Sequence, residues 1–207
     1  SRRGEGQGQP DLLREAVLVA EGLSDTSLVL RACDEALQGG LELERRGEHG
    51  APLLRWARTR HASTLEELGQ FTALGDMLKM HASLPYAASE RQELLLEASR
   101  AYADRALDSE KAAALLLPEF HADPRNVAYR ERLRTLYEER GMRRELLDLL
   151  ERQIATEDDA AVRAELRLQA AKTSEELGDW NDALATLRKT GGELRTHPNT
   201  IDALSRL

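Results

Sequence analysis

The sequence has little cysteine and few aromatic residues. Cys33 is the only cysteine in 207 residues, so the chain forms neither an internal disulfide nor a cysteine-based metal cluster. We expect its thiol to be buried. Aromatic residues make up 4% of the chain and strong strand formers are sparse. Ala, Leu, Glu and Arg predominate, a composition that favours helices.

Long apolar runs and an excess of positive charge are also missing. No run approaches the about 18 apolar residues of a membrane span, so we expect no membrane partner. The opening "SRRGEGQGQP" has twin arginines without a hydrophobic segment behind them, which argues against a secretion signal and for a cytoplasmic protein. A formal net charge of −8 repels a phosphate backbone, so nucleic acid is not an expected partner.

Patterns that carry catalysis are absent from the sequence. It has no G-x-S-x-G serine, no P-loop and no dinucleotide fingerprint. Its histidines never stand at the spacing of a zinc site. We therefore expect a protein that is not an enzyme, with no catalytic residue, no cofactor and no metal. The five histidines are His49, His61, His81, His121 and His197.

Apolar residues recur at helical spacing along nearly the whole chain, and no convincing strand alternation occurs. Residues 1–10, rich in Gly and Gln, predict a disordered tail. The predicted helices are about 11–22, 25–37, 51–68, 70–82, 88–106, 109–120, 126–140, 143–155, 159–177, 179–191 and 198–206. The short connections predict antiparallel hairpins, so the fold class is all-α. Residues 37–52, with four glycines and a charge run, are either a long loop or a frayed helix extension.

One motif, Glu-Glu-x-Gly, occurs three times. The copies are "LEELGQF" (65–71), "YEERGMR" (137–143) and "SEELGDW" (174–180). Gly141 and Gly178 are 37 residues apart, and Gly69 and Gly141 are 72 apart, close to two periods of 36. A glycine after a helix adopts the left-handed conformation without a Cβ clash. In "GDW", Asp179 is expected to cap the next helix, and Trp180 to pack between repeats.

These features resemble the tetratricopeptide repeat (TPR) family, a helix–turn–helix unit of about 34 residues. The best match, 127–160, has Leu133 and Tyr137 in its first helix and Gly141 at its turn. The resemblance implies an α-solenoid, a superhelix of stacked hairpins with a concave binding face. We predict a single domain over 11–207. It comprises a degenerate first hairpin (11–50), units at about 55–88, 92–126, 127–160 and 164–197, and a partial unit or capping helix (198–207).

The unit at 92–126 departs from the family pattern. "RALDSEK" replaces the glycine turn, and Pro118 lies inside the second helix, which it is expected to kink or end. Some family members hold a terminal carboxylate with a Lys/Asn/Arg clamp. Only Arg100 and Lys172 are basic at the matching positions here, so that clamp is disfavoured.

The resemblance implies that partner-facing residues lie on the first helix of each unit. The predicted partner-binding residues are Trp56, Thr59, Ser63, Glu66, Glu67, Arg100, Glu131, Thr135, Glu138, Lys172 and Glu175. Asp104, Ala128, Glu139, Glu165, Leu168 and Glu176 share the same positions. The Trp56 side chain is either core or an exposed groove aromatic.

The repeated Glu pairs suggest a ridge of carboxylates for a basic partner segment, although ordinary solvated helix ends are the favoured explanation. We therefore expect a non-catalytic scaffold that binds a partner protein or peptide on its concave face. The alternatives are a structural or oligomerisation module and a regulatory segment of a larger multidomain protein. Ile201, Leu204 and Leu207 form an apolar stripe that favours self-association.

Overall fold

The computed structural model describes residues 5–84 and 86–193, and every regular element in those ranges is helical. The helices are α1 (Glu5–Gly22), α2 (Thr26–Arg45), α3 (Ala51–Glu67), α4 (Phe71–Ala82), α5 (Ala88–Arg100), α6 (Ser109–Ala122), α7 (Val127–Arg140), α8 (Arg143–Thr156), α9 (Ala160–Leu177) and α10 (Trp180–Glu193). A π-helical segment, Ala101–Arg105, continues α5. The all-α prediction is confirmed. The predicted partial unit at 198–207, with its apolar stripe, lies outside the described residues.

By its contacts the chain divides into two compact units, Ser1–Met80 and His81–Leu207. In the first unit α2 packs against both α1 and α3. In the second, consecutive helices pack in order from α5 to α10. Each unit is thus built from consecutive helical hairpins, the TPR-like arrangement that the sequence predicts. The single domain over 11–207 stays a prediction.

The first helix begins earlier than the sequence predicts. Residues 5–10 belong to α1, with Pro10 inside the helix, although they were expected to form a disordered tail together with residues 1–4. Gly and Gln lower helix propensity without forbidding a helix. The remaining tail residues, 1–4, lie outside the described part of the chain.

The glycine-rich segment 37–52 is mostly helical, because α2 runs through Gly39 and Gly40 to Arg45. These two glycines bring helices together. A Cβ at Gly40 would lie 2.8 Å from the buried Leu54 side chain of α3, and one at Gly39 would collide with Leu13 of α1. The segment is therefore mainly a helix extension rather than a long loop. Close helix packing explains two of its four glycines.

Each hairpin turn contains one residue in the left-handed conformation, which we call the turn residue. The five turn residues are Ser24 (φ 55°), Gly69 (65°), Leu107 (60°), Gly141 (64°) and Gly178 (84°). At the three glycines, the next residue's N–H donates to the carbonyl five positions back, with lengths of 2.9 Å each. This bond closes the helix end in the manner of a Schellman motif.

The turn in which "RALDSEK" replaces the glycine is therefore a degenerate copy of the same turn. Leu107 takes the conformation that glycine takes in the neighbouring hairpins. The Asp108 N–H donates to the Tyr102 carbonyl at 2.8 Å, six positions back rather than five. The π-helical segment Ala101–Arg105, whose turns are wider by one residue, lies directly before this turn.

Pro118 does not end its helix, since α6 continues to Ala122. The sequence allowed either a kink or an end, and an end at this proline is wrong. Proline removes one backbone donor, and the packing of Leu116 and Phe120, both fully buried, holds the turns on either side.

Small and aliphatic side chains make up both cores. In the first unit Val17, Cys33, Ala36 and Ala57 are fully buried, so the buried-thiol prediction is confirmed. In the second unit Leu133, Leu136 and Tyr137 of α7 are buried, as their helical spacing predicts. Ala170 and Ala183 are likewise buried where helices approach each other closely.

Candidate functional site

The predicted binding residues of the first unit lie on α3 and differ in exposure. Trp56 is half-buried against the unit's core, and the guanidinium carbons of Arg14 and Arg60 lie 6.0 and 5.8 Å from its ring centroid. The structure therefore places Trp56 mainly in the packing. The other four are exposed: Thr59, Ser63, Glu66 and Glu67.

The predicted residues of the second unit lie on α5, α7 and α9. Arg100, Thr135 and Lys172 are exposed, and Glu175 is half-buried. Arg134 bridges two predicted acids of α7, with nitrogens 3.5 Å from the carboxylates of Glu131 and Glu138. These contacts are exposed i,i+3 and i,i+4 pairs, which stabilise a helix by only a few tenths of a kcal/mol.

Two of the predicted residues of α3 line a cleft of about 340 Å³ in the first unit, which we call the first cleft. It lies between the α1–α2 turn and α3. The Arg60 guanidinium crosses from α3 to the Glu21 carboxylate of α1 at 3.4 Å. The lining residues are Glu21, Ser24, Thr26, Val29, Arg60, Ser63, Thr64 and Glu67.

A cleft of about 290 Å³ in the second unit, the second cleft, brings together Glu138 and Lys172 of the predicted set. It lies between the α7–α8 turn and α9. The Arg143 guanidinium of α8 crosses it to the Glu176 carboxylate of α9 at 2.6 Å. The lining residues are Glu138, Arg143, Leu146, Leu150, Gln169, Lys172, Thr173 and Glu176.

The two clefts occupy the same place in the repeat. Counted from the turn residues, Glu21 corresponds to Glu138, and Thr26 to Arg143. Seven of the eight lining residues of each cleft fall into equivalent pairs when both are counted in this way. These pairs are Glu21/Glu138, Thr26/Arg143, Val29/Leu146, Arg60/Gln169, Ser63/Lys172, Thr64/Thr173 and Glu67/Glu176.

An acidic residue precedes the turn residue by three positions in all five hairpins, and we call it the pre-turn acid. Its carbonyl accepts the turn residue's N–H in four hairpins, at 2.9 to 3.3 Å. The first Glu of each Glu-Glu-x-Gly copy is thus part of a position that recurs throughout the chain. The pre-turn acids are Glu21, Glu66, Asp104, Glu138 and Glu175.

Two pre-turn acids pair with an arginine of the next first helix. Arg60 contacts Glu21 in the first unit, and Arg132 contacts Asp104 at 2.8 Å in the second. Both arginines stand nine positions before their own turn residue. Gln169 holds that position in the second cleft. These pairs connect one hairpin to the next, so two of the five pre-turn acids form ion pairs within the chain.

Trp180 is not packed between repeats as predicted. It is 58% exposed, at the first position of α10. The buried apolar residues of α10 that the structure describes are Ala183 and Leu187, which pack on Ala171 of α9. The described interface between α9 and α10 thus forms through Ala183 and Leu187 and not through Trp180.

The sequence analysis missed most of the residues that the preceding hairpin contributes to each cleft, and Glu138 is the one of them that it predicted. Glu21, Thr26 and Arg143 lie on second helices or in the degenerate first hairpin, where the family pattern implies no contact. The signal was present in the spacing, because Leu107 lies near the midpoint between Gly69 and Gly141. Placing a turn there would have aligned the four hairpins from α3 to α10 and their pre-turn acids, whereas Ser24 lies 45 residues before Gly69, outside that period.

Side chains that could bind a metal do not converge in any group of three or more His, Cys, Asp or Glu within the described residues. Nor is any described helix both long and apolar enough to cross a bilayer. The geometry offers grooves with charged rims, which suit binding of polypeptide segments.

No protein-family model matches the chain, and a search of curated proteins finds no match. A search of solved structures finds similarity to a thermophilic TPR protein of Thermus thermophilus. That similarity covers 95% of this chain and 96% of the other, at 19% identity and a TM-score of 0.35.

Proposed function

We propose that this protein is a non-catalytic scaffold that binds a basic segment of a partner protein along its first helices. The observation that carries the proposal is the pre-turn acid present in all five hairpins. Carboxylates at helix C-termini face the negative end of the helix dipole, which disfavours them by about 0.3–1 kcal/mol when exposed. A cationic partner would offset that cost at successive hairpins.

The charges that remain unengaged support this proposal. Glu66, Glu67 and Glu175 make no ion pair with any described residue, and each lies on a first helix. Among the residues that the structure describes, Glu138 pairs only with Arg134 of its own helix, and that pair is exposed. A partner with arginines or lysines would therefore displace water from these carboxylates rather than break strong internal contacts.

The experiment is affinity capture with the full chain from an extract of its own host, in low and in high salt. The comparison is a variant with glutamine at Glu66, Glu67, Glu138 and Glu175. We expect bound proteins that high salt and the variant both release, because screening and neutralisation remove the same attraction. Retention that is indifferent to salt and to the variant would contradict the proposal.

A second candidate function is self-association, which a separate observation favours. Four large apolar side chains are exposed on α1 and directly after it. Val19 of α1 is 56% exposed, and Leu23, just past the end of the helix, is 65% exposed. A second copy of the chain could cover this surface by stacking end to end, as hairpins stack within a unit. The other two are Leu12 and Leu18.

Sedimentation over a wide concentration range tests this second candidate. Self-association predicts a mass that grows with concentration and returns to that of a monomer in a Leu12→Lys/Val19→Lys variant. A clean monomer at every concentration would rule it out without affecting the scaffold proposal.

A further inference from the structure

The first cleft lacks a cation that the second cleft contains. In the second cleft Arg143, two positions after the turn residue, holds Glu176 at 2.6 Å. The equivalent residues in the first cleft are Thr26 and Glu67. Thr26 carries no charge, and Glu67 makes no ion pair with any described residue.

The formal charges of the two clefts also differ, because Thr26 and Ser63 stand where the second cleft has Arg143 and Lys172, while Arg60 stands where it has Gln169. The second cleft has two carboxylates, Glu138 and Glu176, and two cations, Arg143 and Lys172. The first cleft has two carboxylates, Glu21 and Glu67, and one cation, the Arg60 that Glu21 engages. The first cleft is therefore one positive charge short of balance.

The position beside Glu67 is open and lined by acceptors. Thr26 and Ser63 are exposed on opposite sides of the first cleft, and Glu67 ends α3. The buried Thr64 does not compete for a ligand, because its hydroxyl donates to the Arg60 carbonyl at 3.0 Å. Its equivalent, Thr173, makes the same bond to Gln169 at 3.0 Å. The buried threonine therefore makes the same hydrogen bond in α3, beside the first cleft, as in α9, beside the second.

We propose that the first cleft binds one arginine side chain of a partner, with its guanidinium on Glu67 in the place that Arg143 takes in the second cleft. A guanidinium fits because the chain itself uses one at the equivalent position, with a carboxylate acceptor at the equivalent residue. The negative end of the α3 dipole adds to the attraction. This subsite deepens the proposed function and rests on it.

The test is an NMR titration of the isotopically labelled full chain with a blocked nonapeptide, (Gly-Arg-Gly)₃. The matched control peptide replaces arginine with citrulline, which keeps the shape and removes the charge. We expect saturable shifts of the backbone amides of Thr26 and of residues 63–67 with the arginine peptide only. Equal shifts with the citrulline peptide would overturn the subsite. So would an arginine peptide that saturates other sites on the protein without shifting the amides around Glu67.

Two variants make the test specific. Thr26→Arg supplies the missing cation from within the chain, so the peptide should bind about fivefold more weakly at this cleft or not at all. Arg143→Thr opens the second cleft and should add a new set of shifts near Glu176. Unchanged affinity in Thr26→Arg would contradict the proposal even if the peptide binds the wild-type chain.

The outcome for the subsite is separable from that for the scaffold proposal. Salt-sensitive capture of a host partner, with no peptide shifts at Glu67, would remove the subsite alone. Peptide shifts at Glu67, with capture that ignores salt and the four glutamines, would remove the scaffold proposal alone.

Discussion

Arg132 of α7 reaches back to Asp104, the pre-turn acid of the preceding hairpin, with the guanidinium 2.8 Å from the carboxylate. The same side chain donates from Nε to Ser99 Oγ and from a terminal nitrogen to the Ser99 carbonyl, both at 3.3 Å. Its side chain is only 14% exposed. Arg132 thus connects two consecutive hairpins, and it donates hydrogen bonds to the polar groups of Ser99, next to the π-helical segment.

Replacing this arginine should weaken the second unit. Arg132→Ala leaves the buried Ser99 Oγ without its donor, so we expect the free energy of unfolding to fall by about 1–2 kcal/mol. The measurement is urea unfolding followed by circular dichroism. Arg134→Ala is the matched control, because it removes only exposed pairs and should cost at most about 0.5 kcal/mol. Equal losses in the two variants would contradict this account.

Replacing Leu107, which has a left-handed backbone conformation, with glycine should raise the stability of the protein. Leu107 is 71% exposed, so glycine there loses little packing and relieves the left-handed strain of about 1–2 kcal/mol. After the entropy of glycine in the unfolded chain, Leu107→Gly should gain about 0.5–1 kcal/mol. Thermal unfolding measures the gain.

Leu107→Ala serves as the control for that change, because it removes the side chain but keeps a Cβ in the left-handed region. It should be no more stable than the wild type. If Leu107→Ala is as stable as Leu107→Gly, the left-handed backbone conformation is not the cause of the gain in stability.

Packing should outweigh helix propensity at Gly40. Alanine normally stabilises a helix interior by about 1 kcal/mol relative to glycine. At Gly40, however, its Cβ would lie 2.8 Å from Leu54, which is 2% exposed and cannot move aside freely. We expect Gly40→Ala to destabilise the protein by about 1–2 kcal/mol in denaturant unfolding.

Gly22 provides the comparison, because a Cβ there meets nothing within 4 Å. Gly22→Ala, at the last position of α1, should be neutral or slightly stabilising. If both alanine variants gain stability, the close approach of α2 to α3 is not a constraint.

Alkaline pH should destabilise the first unit through Cys33. Burial raises the pKa of its thiol from 9.0 to about 11, so the folded state holds a proton that the unfolded state releases. This stabilising contribution is present below pH 9 and is lost as the pH rises towards 11. Unfolding free energies measured across this range should fall by up to about 3 kcal/mol from this group.

Cys33→Ala should lower stability at neutral pH, because it leaves a cavity, and should flatten the slope between pH 9 and 11. Burial also raises the pKa of Tyr137 to about 12, so the decline should continue above pH 10 in the variant. An unchanged slope below pH 10 would exclude the thiol.

Sequence periodicity predicted the helices and their hairpin order because apolar spacing and glycine turns act locally. The sequence prediction was wrong where one residue type occurs in two different structural roles. Gly39 and Gly40 look like loop residues, yet they allow helices to approach closely. Leu107 hides a turn, because leucine is a helix former in sequence and takes the left-handed conformation only when the surrounding hairpin imposes it.

The site was predictable only on one side. First-helix positions followed from the repeat, and the structure brings Ser63 and Glu67 together in one cleft and Glu138 and Lys172 in another. The opposite walls come from the preceding hairpin, through contacts such as Arg143 with Glu176. Such contacts join residues more than thirty positions apart, and spacing alone does not specify them.

The most direct test of the scaffold proposal is the affinity of a captured partner, measured by calorimetry at several salt concentrations. The protein is compared with its four-glutamine variant at Glu66, Glu67, Glu138 and Glu175. The control has the same change in charge on second helices, with glutamine at Glu35, Glu110, Glu145 and Glu151.

The account predicts that the first-helix variant binds about tenfold more weakly at low salt and loses most of its salt dependence. The second-helix control should bind like the wild-type protein. Equal affinity and equal salt dependence for all three proteins would contradict the claim that the first-helix carboxylates hold the partner.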